Sequence, residues 1–219
     1  MEFPDIADWY TPERIDAEEP LWAQSRAYID YAERIHKICK ANNLSSVVEI
    51  GCGTGWVPTV LDSSLNYLGI DKNPYMLERC RIKNPKKLFA RCDIRNLGAL
   101  NLSSDLVCSF AVIKHFKPSE WANCLKQVLS IGKIGLFTLS VFINGRSTED
   151  IPAKDEHGIS QHHGTWTTPE EANSAILEAG HEILESDFSH RYDAGIGGYE
   201  VMFTTKRSWK TIKLENLMR

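Results

Sequence analysis

Several features that would mark a membrane protein, a secreted protein or a nucleic-acid-binding protein are missing from this sequence of 219 residues. No apolar run approaches the roughly 20 residues that a membrane-spanning helix needs, and the opening stretch MEFPDIADWY has neither the basic nor the apolar region of a secretion signal. The net charge of -4 gives no overall attraction to nucleic acid or to an anionic membrane. We therefore expect a cytoplasmic protein with no membrane partner, and a nucleic-acid partner is disfavoured. No pattern in the sequence indicates the oligomeric state.

Paired metal-ligating cysteines are missing as well. The six cysteines contain no CxxC pair, and their spacing matches no zinc or disulfide framework. Cys108, in the apolar stretch LVCSF, is typical of a reduced thiol that packs as a small hydrophobic residue. The histidine-rich segment DEHGISQHHGTW has neither HExxH nor the spacing of a two-histidine, one-carboxylate site. We therefore expect a reducing compartment and no metal site.

Short β-rich runs alternate with helical patterns after residue 45. The strand candidates are residues 47–50, 67–71, 87–92, 105–110 and 134–142, and the helix candidates lie near residues 54–63, 74–83 and 118–130. This alternation is typical of βαβ units around a parallel sheet. Two further runs, HEILESDF and YEVMFTTK, flank a glycine-rich loop, and a hairpin there would make the last strand antiparallel. The expected fold class is α/β with a mostly parallel sheet.

Proline and capping residues predict several helix ends. Asn73 is expected to cap a helix that has Pro74 at its first position, and Pro118 is expected to begin a helix in the same way. In TTPEEANSAILEAG, Thr168 is the expected cap and Gly180 the expected stop.

An amphipathic helix is predicted before the sheet. Residues 21–41 place apolar side chains at helical spacing, namely Trp22, Ile29, Ile35, Ile38 and Cys39. We therefore divide the chain into an N-terminal helical cap (1–44), a main domain (45–206) and a C-terminal tail (207–219).

The stretch VVEIGCGTGW is a strand followed by a glycine-rich turn, and Asp71 ends the next strand. This arrangement is typical of nucleotide binding, with the acid placed for ribose hydroxyls. The dinucleotide fingerprint would need a third glycine at position 56, where this chain has Trp56. Glu49, at the end of a buried strand, would be repelled by a pyrophosphate, so a cationic ligand suits it better. No phosphate-binding GxxxxGK[ST] motif is present.

These residues resemble the class I S-adenosylmethionine-dependent methyltransferases. The resemblance rests on EIGCGTG, on LGIDKN with its terminal acid, on RCDI, and on SDLVCSFAVIKHF, in that order over roughly residues 45–142. It implies a Rossmann-like fold with a seven-stranded sheet, helices on both faces and an antiparallel last strand. It also implies S-adenosylmethionine as the cofactor.

The resemblance further implies a role for each matching position. Backbone near the methionine part of the cofactor would come from Gly51, Cys52 and Gly53, Glu49 would act near its ammonium group, and Asp71 would bind the ribose. The remaining expected contacts are Lys72 and Met76 beside the ribose and adenine, Asp93 and Ile94 at the adenine, and Phe110 and Ala111 beside the methionine moiety. Simpler explanations stay open: a tight glycine turn, Asp71 or Asp93 as a strand end or helix cap, and Met76 as core.

The methyl acceptor is less well encoded than the cofactor. His115, after the fourth strand, and His163, in the histidine-rich segment with His157, His162 and Trp166, are candidate general bases. Trp9, Tyr10 and Tyr28 could close over the site, with core packing as the alternative. Modest size and acidic balance favour a small-molecule acceptor methylated on oxygen or nitrogen.

Two alternatives to a small-molecule methyltransferase stay open. The first is methylation of RNA or protein, with docking through a basic stretch that contains Lys72, Arg79, Arg81, Lys83, Lys86, Lys87, Arg91 and Arg95. The second is a non-catalytic subunit that binds the cofactor.

Overall fold

The computed structural model describes residues 10–142, 165–192 and 198–208. Seven strands form one sheet in the order β3-β2-β1-β4-β5-β7-β6. Their bounds are β1 Ser46–Ile50, β2 Asn66–Asp71, β3 Leu88–Arg91, β4 Ser104–Ser109, β5 Gly132–Phe142, β6 His181–Tyr192 and β7 Gly198–Arg207. β1 runs parallel to β2 and β4, and β2 runs parallel to β3. β7 is antiparallel to both β5 and β6, so the expected Rossmann-like fold with an antiparallel last strand is confirmed.

Six α-helices accompany these strands in the described part of the chain. They are α1 Pro12–Trp22, α2 Ala27–Asn42, α3 Trp56–Val60, α4 Pro74–Lys83, α5 Trp121–Leu129 and α6 Pro169–Glu178. Two 3-10 helices, Ile94–Leu100 and Ile113–His115, follow β3 and β4. None of the described helices is long and apolar enough to cross a membrane.

The chain forms two compact units, Met1–Phe110 and Ala111–Arg219. The first contains α1 to α4 and β1 to β4. The apolar run that predicted β1 lies in the core, because Val47, Val48 and Ile50 are buried. α4 also begins as predicted, because the Asn73 side chain accepts hydrogen bonds from the backbone N–H groups of Tyr75 and Met76 and Pro74 takes the first helical position.

The second unit contains β5 to β7 with α5 and α6. α6 has a complete capping box, in which the Thr168 side chain accepts from the Glu171 N–H and the Glu171 carboxylate accepts from the Thr168 N–H. Gly180 ends this helix with a φ of 77°, as expected. The predicted helix start at Pro118 is wrong. Residues 118–120 instead form a turn, with the Glu120 N–H bonded to the Lys117 carbonyl, and α5 begins at Trp121.

The N-terminal helix predicted over residues 21–41 is confirmed from Ala27 onward, but its predicted start at residue 21 is wrong. Two helices are present, and a turn separates them because the N–H groups of Gln24 and Ser25 bond to the carbonyls of Leu21 and Trp22. Trp22 therefore ends α1, and Ile29 is 47% exposed rather than buried on the apolar face of α2. α1 was not predicted, although Thr11 before Pro12 repeats the cap-and-proline signal that identified α6.

Candidate functional site

The turn after β1 is fastened to the end of β2. We call residues 51–55 the glycine loop. The N–H groups of Gly51 and Cys52 both donate to the Ile70 carbonyl, at 2.7 and 3.1 Å. Gly51, Gly53 and Gly55 have φ values of 74°, 54° and 80°, in the left-handed region that glycine adopts most readily. The three glycines are thus required by the path of this turn.

Asp71 joins the same turn from the end of β2. Its carboxylate accepts hydrogen bonds from the N–H groups of Gly53 at 3.0 Å and Asn73 at 2.8 Å. Burial raises the pKa of Asp71, while these backbone hydrogen bonds act in the opposite direction. A carboxyl group is therefore held directly beside the glycine loop.

One face of α4 binds three consecutive carbonyls of the loop. Cys80 donates to the Gly53 carbonyl at 3.0 Å and Lys83 to the Thr54 carbonyl at 3.0 Å. Asn84, just after the helix, donates to the Gly55 carbonyl at 2.9 Å. Positions i, i+3 and i+4 share a helix face, so this spacing matches the loop carbonyls one for one. Sequence reasoning missed these residues, because nothing marks them apart from the spacing.

Gly53 and Gly55 have different surroundings. A Cβ built on Gly55 would lie 2.9 Å from the Cys80 sulfur and 3.2 Å from its Cα, so this glycine permits close packing on α4. A Cβ on Gly53 would meet no atom within 4 Å. Gly53 therefore presents bare backbone to open space, which is the surface that a ligand could approach.

Glu49, in β1, is a buried carboxylate with 3% of its surface exposed. The Tyr67 hydroxyl donates to it. Burial raises the pKa of Glu49 to about 7, the Tyr67 hydrogen bond lowers it, and the Asp71 charge raises it. No cation of the described residues is paired with it, because the causes of its pKa shift include none. Among the described residues, Glu49 therefore has no positive charge to balance it.

Two hydroxyl groups in this unit are buried without a hydrogen-bond partner. They belong to Thr54, in the glycine loop, and Ser109, at the end of β4. Leaving a buried hydroxyl unsatisfied costs about 1–3 kcal/mol, so such groups are typical of places where a ligand or water completes the structure.

The remaining residues of the expected cofactor site differ in their contacts and burial. Asp93 caps the 3-10 helix Ile94–Leu100 by accepting from the Arg95 N–H at 2.9 Å, and it pairs with the Arg95 guanidinium at 3.1 Å. The capping role that the sequence left open is therefore present. Ile94 and Met76 are buried, whereas Lys72 is partly exposed. Cys52 is buried with its sulfur 3.9 Å from that of Cys80.

Phe110, the residue after β4, stacks on Tyr31 of α2 with ring centroids 4.1 Å apart and planes at 4°. Tyr31 was missed, although it lies four residues after Ala27 on the buried face of α2. Tyr10 and Tyr28 make edge contacts with Trp22 and Tyr31, which favours the packing alternative. Trp9 lies outside the described residues.

A second buried carboxylate lies in the second unit. The Ala111 N–H donates to the Thr138 hydroxyl at 2.7 Å, and this hydroxyl donates to Glu200 at 3.0 Å. Glu200 is 1% exposed, and the Lys114 ammonium lies 3.9 Å from its carboxylate. Ala111 itself has a φ of 57°, so this chain of hydrogen bonds holds a left-handed backbone position. Glu200 was missed; its signal is an acid inside the apolar run YEVMF.

The candidate bases are described only in part. His115 ends the 3-10 helix Ile113–His115 and is partly exposed. His163, His157 and His162 lie outside the described residues, so their proposed part in the site stays a prediction. Within the described ranges, no group of three or more His, Cys, Asp or Glu side chains could hold a metal ion.

Comparison with known sequences matches residues 47–135 to a family model described as a methyltransferase domain. This range begins in β1, contains the glycine loop, β2, β3 and β4, and ends in β5. No curated protein sequence matches the chain.

Solved structures share the fold at low sequence identity. Magnesium protoporphyrin IX methyltransferase from Synechocystis PCC 6803 with bound S-adenosylhomocysteine has a TM-score of 0.72 at 13% identity, and the match covers 93% of this chain and 98% of that one. An S-adenosylmethionine-dependent methyltransferase from Clostridium acetobutylicum ATCC 824 has a TM-score of 0.67 at 16% identity, covering 87% and 96%. The N-terminal domain of EvdMO1 in the presence of S-adenosylhomocysteine and D-fucose has a TM-score of 0.62 at 15% identity, covering 84% of each chain.

The sequence match lies on the motif-bearing strands, and the structural matches extend the fold to most of the chain. Residues 47–135 are therefore similar in sequence to a methyltransferase domain, and most of the chain shares the fold of solved S-adenosylmethionine-dependent methyltransferases.

Proposed function

We propose that the chain binds S-adenosylmethionine at the glycine loop and transfers its methyl group to an oxygen or nitrogen atom of a small molecule. The observation that carries the binding site is Glu49, a buried carboxylate with no cation of the described residues beside it. An unpaired buried charge is costly, so an acid in such a place calls for a positive partner. The ammonium group of the cofactor has the required charge.

The other proposed cofactor contacts come from the resemblance to the family, and the geometry of the glycine loop supports those nearest to it. The open backbone at Gly53, with Gly51 and Cys52, would face the methionine part of the cofactor. Asp71 would accept hydrogen bonds from the ribose hydroxyls, which are neutral donors to a charged acceptor. The remaining proposed contacts are Lys72 and Met76 near the ribose and adenine, Asp93 and Ile94 at the adenine, and Phe110 and Ala111 near the methionine moiety.

When bound, the cofactor supplies an electrophilic methyl group on a sulfonium, which a nucleophile takes by in-line displacement. The residues of the chain then have to orient the acceptor and exclude water. An acceptor that must lose a proton needs a general base, and His115 and His163 are the proposed ones. Loss of turnover in His115→Ala or His163→Ala, with cofactor affinity unchanged, would support that role; full turnover in both would exclude it.

Two observations support a small-molecule acceptor. Among the fold relatives, one is named for magnesium protoporphyrin IX and another was crystallised in the presence of D-fucose. The basic stretch that could dock RNA is largely engaged within the protein. Arg81 donates to the Phe89 carbonyl, Arg91 to the Lys72 carbonyl and Lys87 to two carbonyls near β2. Side chains bound in this way are poorly placed to neutralise phosphates.

The cofactor site is tested by calorimetric titration of S-adenosylmethionine into Asp71→Ala. We expect binding about 100-fold weaker than for the wild type, because hydrogen bonds to a charged group contribute roughly 1.5–3 kcal/mol each. Asp62→Ala is the matched control, because Asp62 is an exposed aspartate that accepts from the Ser64 N–H in another loop. Equal affinity of Asp71→Ala and wild type would remove Asp71 from the site.

The acceptor class is tested with cofactor carrying a tritium-labelled methyl group. The protein is incubated with a cell extract that has been separated into small molecules, RNA and protein. Label in the small-molecule fraction supports the proposal, and label confined to RNA or protein contradicts it. Cofactor binding with no label in any fraction would indicate the non-catalytic subunit.

A further inference from the structure

Lys83 connects the glycine loop with the N-terminal helix α1. Its ammonium donates to the Thr54 carbonyl at 3.0 Å and to the carboxylate of Glu19 in α1. It also lies 4.8 Å from the centroid of the Trp56 ring. A carboxylate, a carbonyl and an aromatic face thus surround one cation, and each of these contacts is attractive. The position of Lys83 is therefore strongly defined.

Glu19 is more than a surface partner of Lys83. Its side chain is only 11% exposed, and its second oxygen lies 3.2 Å from Nε of Arg79. Arg79 in turn pairs with Asp16 at 2.6 Å, and the Tyr75 hydroxyl donates to Asp16 at 2.8 Å. α1 is thereby attached to α4 along about two helical turns. A partly buried ion network of this kind depends on every member being in place.

Lys83 differs from the two other α4 residues that bind the loop. The side-chain polar contacts of Cys80 and Asn84 stay within residues 52–84. Lys83 also reaches Glu19, so in the described part of the chain it gives the Thr54 peptide a direct link to α1. That peptide follows Gly53, whose own N–H is bonded to Asp71. A rotation of the Thr54 peptide would move the backbone at the open surface of Gly53.

We propose that Lys83 and Glu19 are positioning residues for cofactor binding: the attachment of α1 through this ion pair sets the Thr54 peptide and so the shape of the glycine loop. The inference rests on the proposed cofactor site at the loop. Neither side chain has to touch the cofactor. Removing either partner should therefore weaken cofactor binding through the same step, and removing both should add little further.

The test measures the affinity for S-adenosylhomocysteine by calorimetry in Glu19→Gln, Lys83→Met and the double variant. Lys83→Met keeps the length and apolar stem of the side chain and removes its charge. Glu18→Gln is the matched control, since Glu18 precedes Glu19 in α1 and pairs with Arg14 at 2.6 Å on the surface of the same helix. Circular dichroism checks that each variant is folded at the temperature of the titration.

We expect each single variant to bind about tenfold more weakly than the wild type, a size typical of coupling between sites. The double variant should bind no more than about twofold more weakly than the weaker single variant, because coupled partners act as one unit. Lys83→Arg should restore most of the affinity, and Glu18→Gln should match the wild type. A general loss of stability would not give this rescue or this non-additivity. If Lys83→Met does not fold, Glu19→Gln and Lys83→Arg carry the same comparison.

The proposal is overturned if folded single variants bind as well as the wild type, or if their effects multiply in the double variant. Its failure differs from a failure of the cofactor site. If Asp71→Ala loses binding while Glu19→Gln and Lys83→Met retain it, only the positioning role is wrong. If Asp71→Ala binds as well as the wild type, the cofactor site itself is misplaced.

Discussion

Two buried carboxylates in the two compact units have opposite surroundings. Glu49, in β1, has one hydroxyl donor, no cation of the described residues and a pKa raised to about 7. Glu200, in β7, receives a hydrogen bond from Thr138 and has the Lys114 ammonium 3.9 Å away. Both acids are almost fully buried, so burial alone does not separate them. The difference lies in whether the protein supplies the balancing charge.

This difference indicates what each acid does. Glu200 has its partners inside the protein and holds Ala111 through Thr138, which is a structural task. Glu49 lacks a counter-charge among the described residues, so its environment favours a cationic ligand. A buried acid is therefore a better indicator of a ligand when its neighbours are inspected together with its burial.

The largest effect on stability is expected at Glu200. Glu200→Ala removes the acceptor of the Thr138 hydroxyl and the charge beside Lys114, and it should lower the free energy of unfolding by about 4 kcal/mol, as for other broken buried pairs. Glu200→Gln keeps an oxygen acceptor and should lose less. Urea unfolding measures both. A loss below about 1 kcal/mol in Glu200→Ala would mean that the acid is not structural.

At Glu49, by contrast, substitution is expected to increase the stability of the cofactor-free protein. Its folded pKa of about 7 lies above the ordinary value of 4.5, so the folded state keeps the proton longer than the unfolded state. Stability is therefore lost as the pH rises from about 4.5 through about 7, by roughly 3 kcal/mol for this group. Glu49→Gln should lack this loss, so its advantage over the wild type should grow between about pH 5 and pH 8 in urea unfolding. A constant difference across that range would contradict a raised pKa.

The same substitution should weaken cofactor binding. A cationic ligand favours the ionised form of Glu49, so wild-type affinity for S-adenosylmethionine should rise as the pH passes about 7, and the affinity of Glu49→Gln should not. Calorimetry at several pH values gives both curves. Parallel curves would show that Glu49 does not sense the cofactor.

Alanine substitutions in the glycine loop should have a smaller effect on stability, and they distinguish a glycine needed for packing from one that a ligand approaches. Gly55→Ala should lower the unfolding free energy by about 2 kcal/mol, because a left-handed φ strains alanine by roughly 1 kcal/mol and the new Cβ meets Cys80. Gly53→Ala should show the strain alone, as should Gly180→Ala in the second unit, where a Cβ also meets open space. Of the three, Gly53→Ala should reduce cofactor affinity the most. Equal affinity in Gly53→Ala and Gly180→Ala would place the ligand elsewhere.

The smallest expected effects on stability come from removing one helix cap in each unit. Thr168→Ala should cost about 1 kcal/mol because it destroys a capping box. Thr11→Ala should cost less, because the Thr11 hydroxyl is a long 3.4 Å from the Arg14 N–H. Thermal unfolding of the two alanine variants, with Thr168→Ser as the control, measures the order. The opposite order would mean that α1 depends on its cap more than its ion pairs suggest.

Residues with a local signal were the ones that the sequence predicted well. The apolar run before Gly51 and the acid Asp71 have fixed places in a strand-turn-helix pattern, and the caps Asn73 and Thr168 act on neighbouring backbone. Their structural consequences extend over only a few residues, so spacing is enough to find them.

Residues whose partners are distant in sequence were missed. Lys83 depends on Glu19, 64 positions away, and Glu200 depends on Thr138, 62 positions away. Tyr31 pairs with Phe110 across most of the first unit. The local sequence identifies each of these side chains only as helix surface, strand or core. The contacts that define its role form only when the chain folds. The local sequence likewise gives little signal for the residues that bind the methyl acceptor. The histidines proposed there therefore need a direct experiment.

The order of the last three strands has a consequence for how the second unit is made. β7 is the last of the described strands in the sequence, yet it lies between β5 and β6 and pairs with both. While the chain is being synthesised, β6 therefore emerges before the strand that it will join, and its backbone groups stay hydrated until β7 follows. The pairs of β5 and β6 with β7 can therefore form only after β7 has been synthesised, because long-range strand pairs need both segments present.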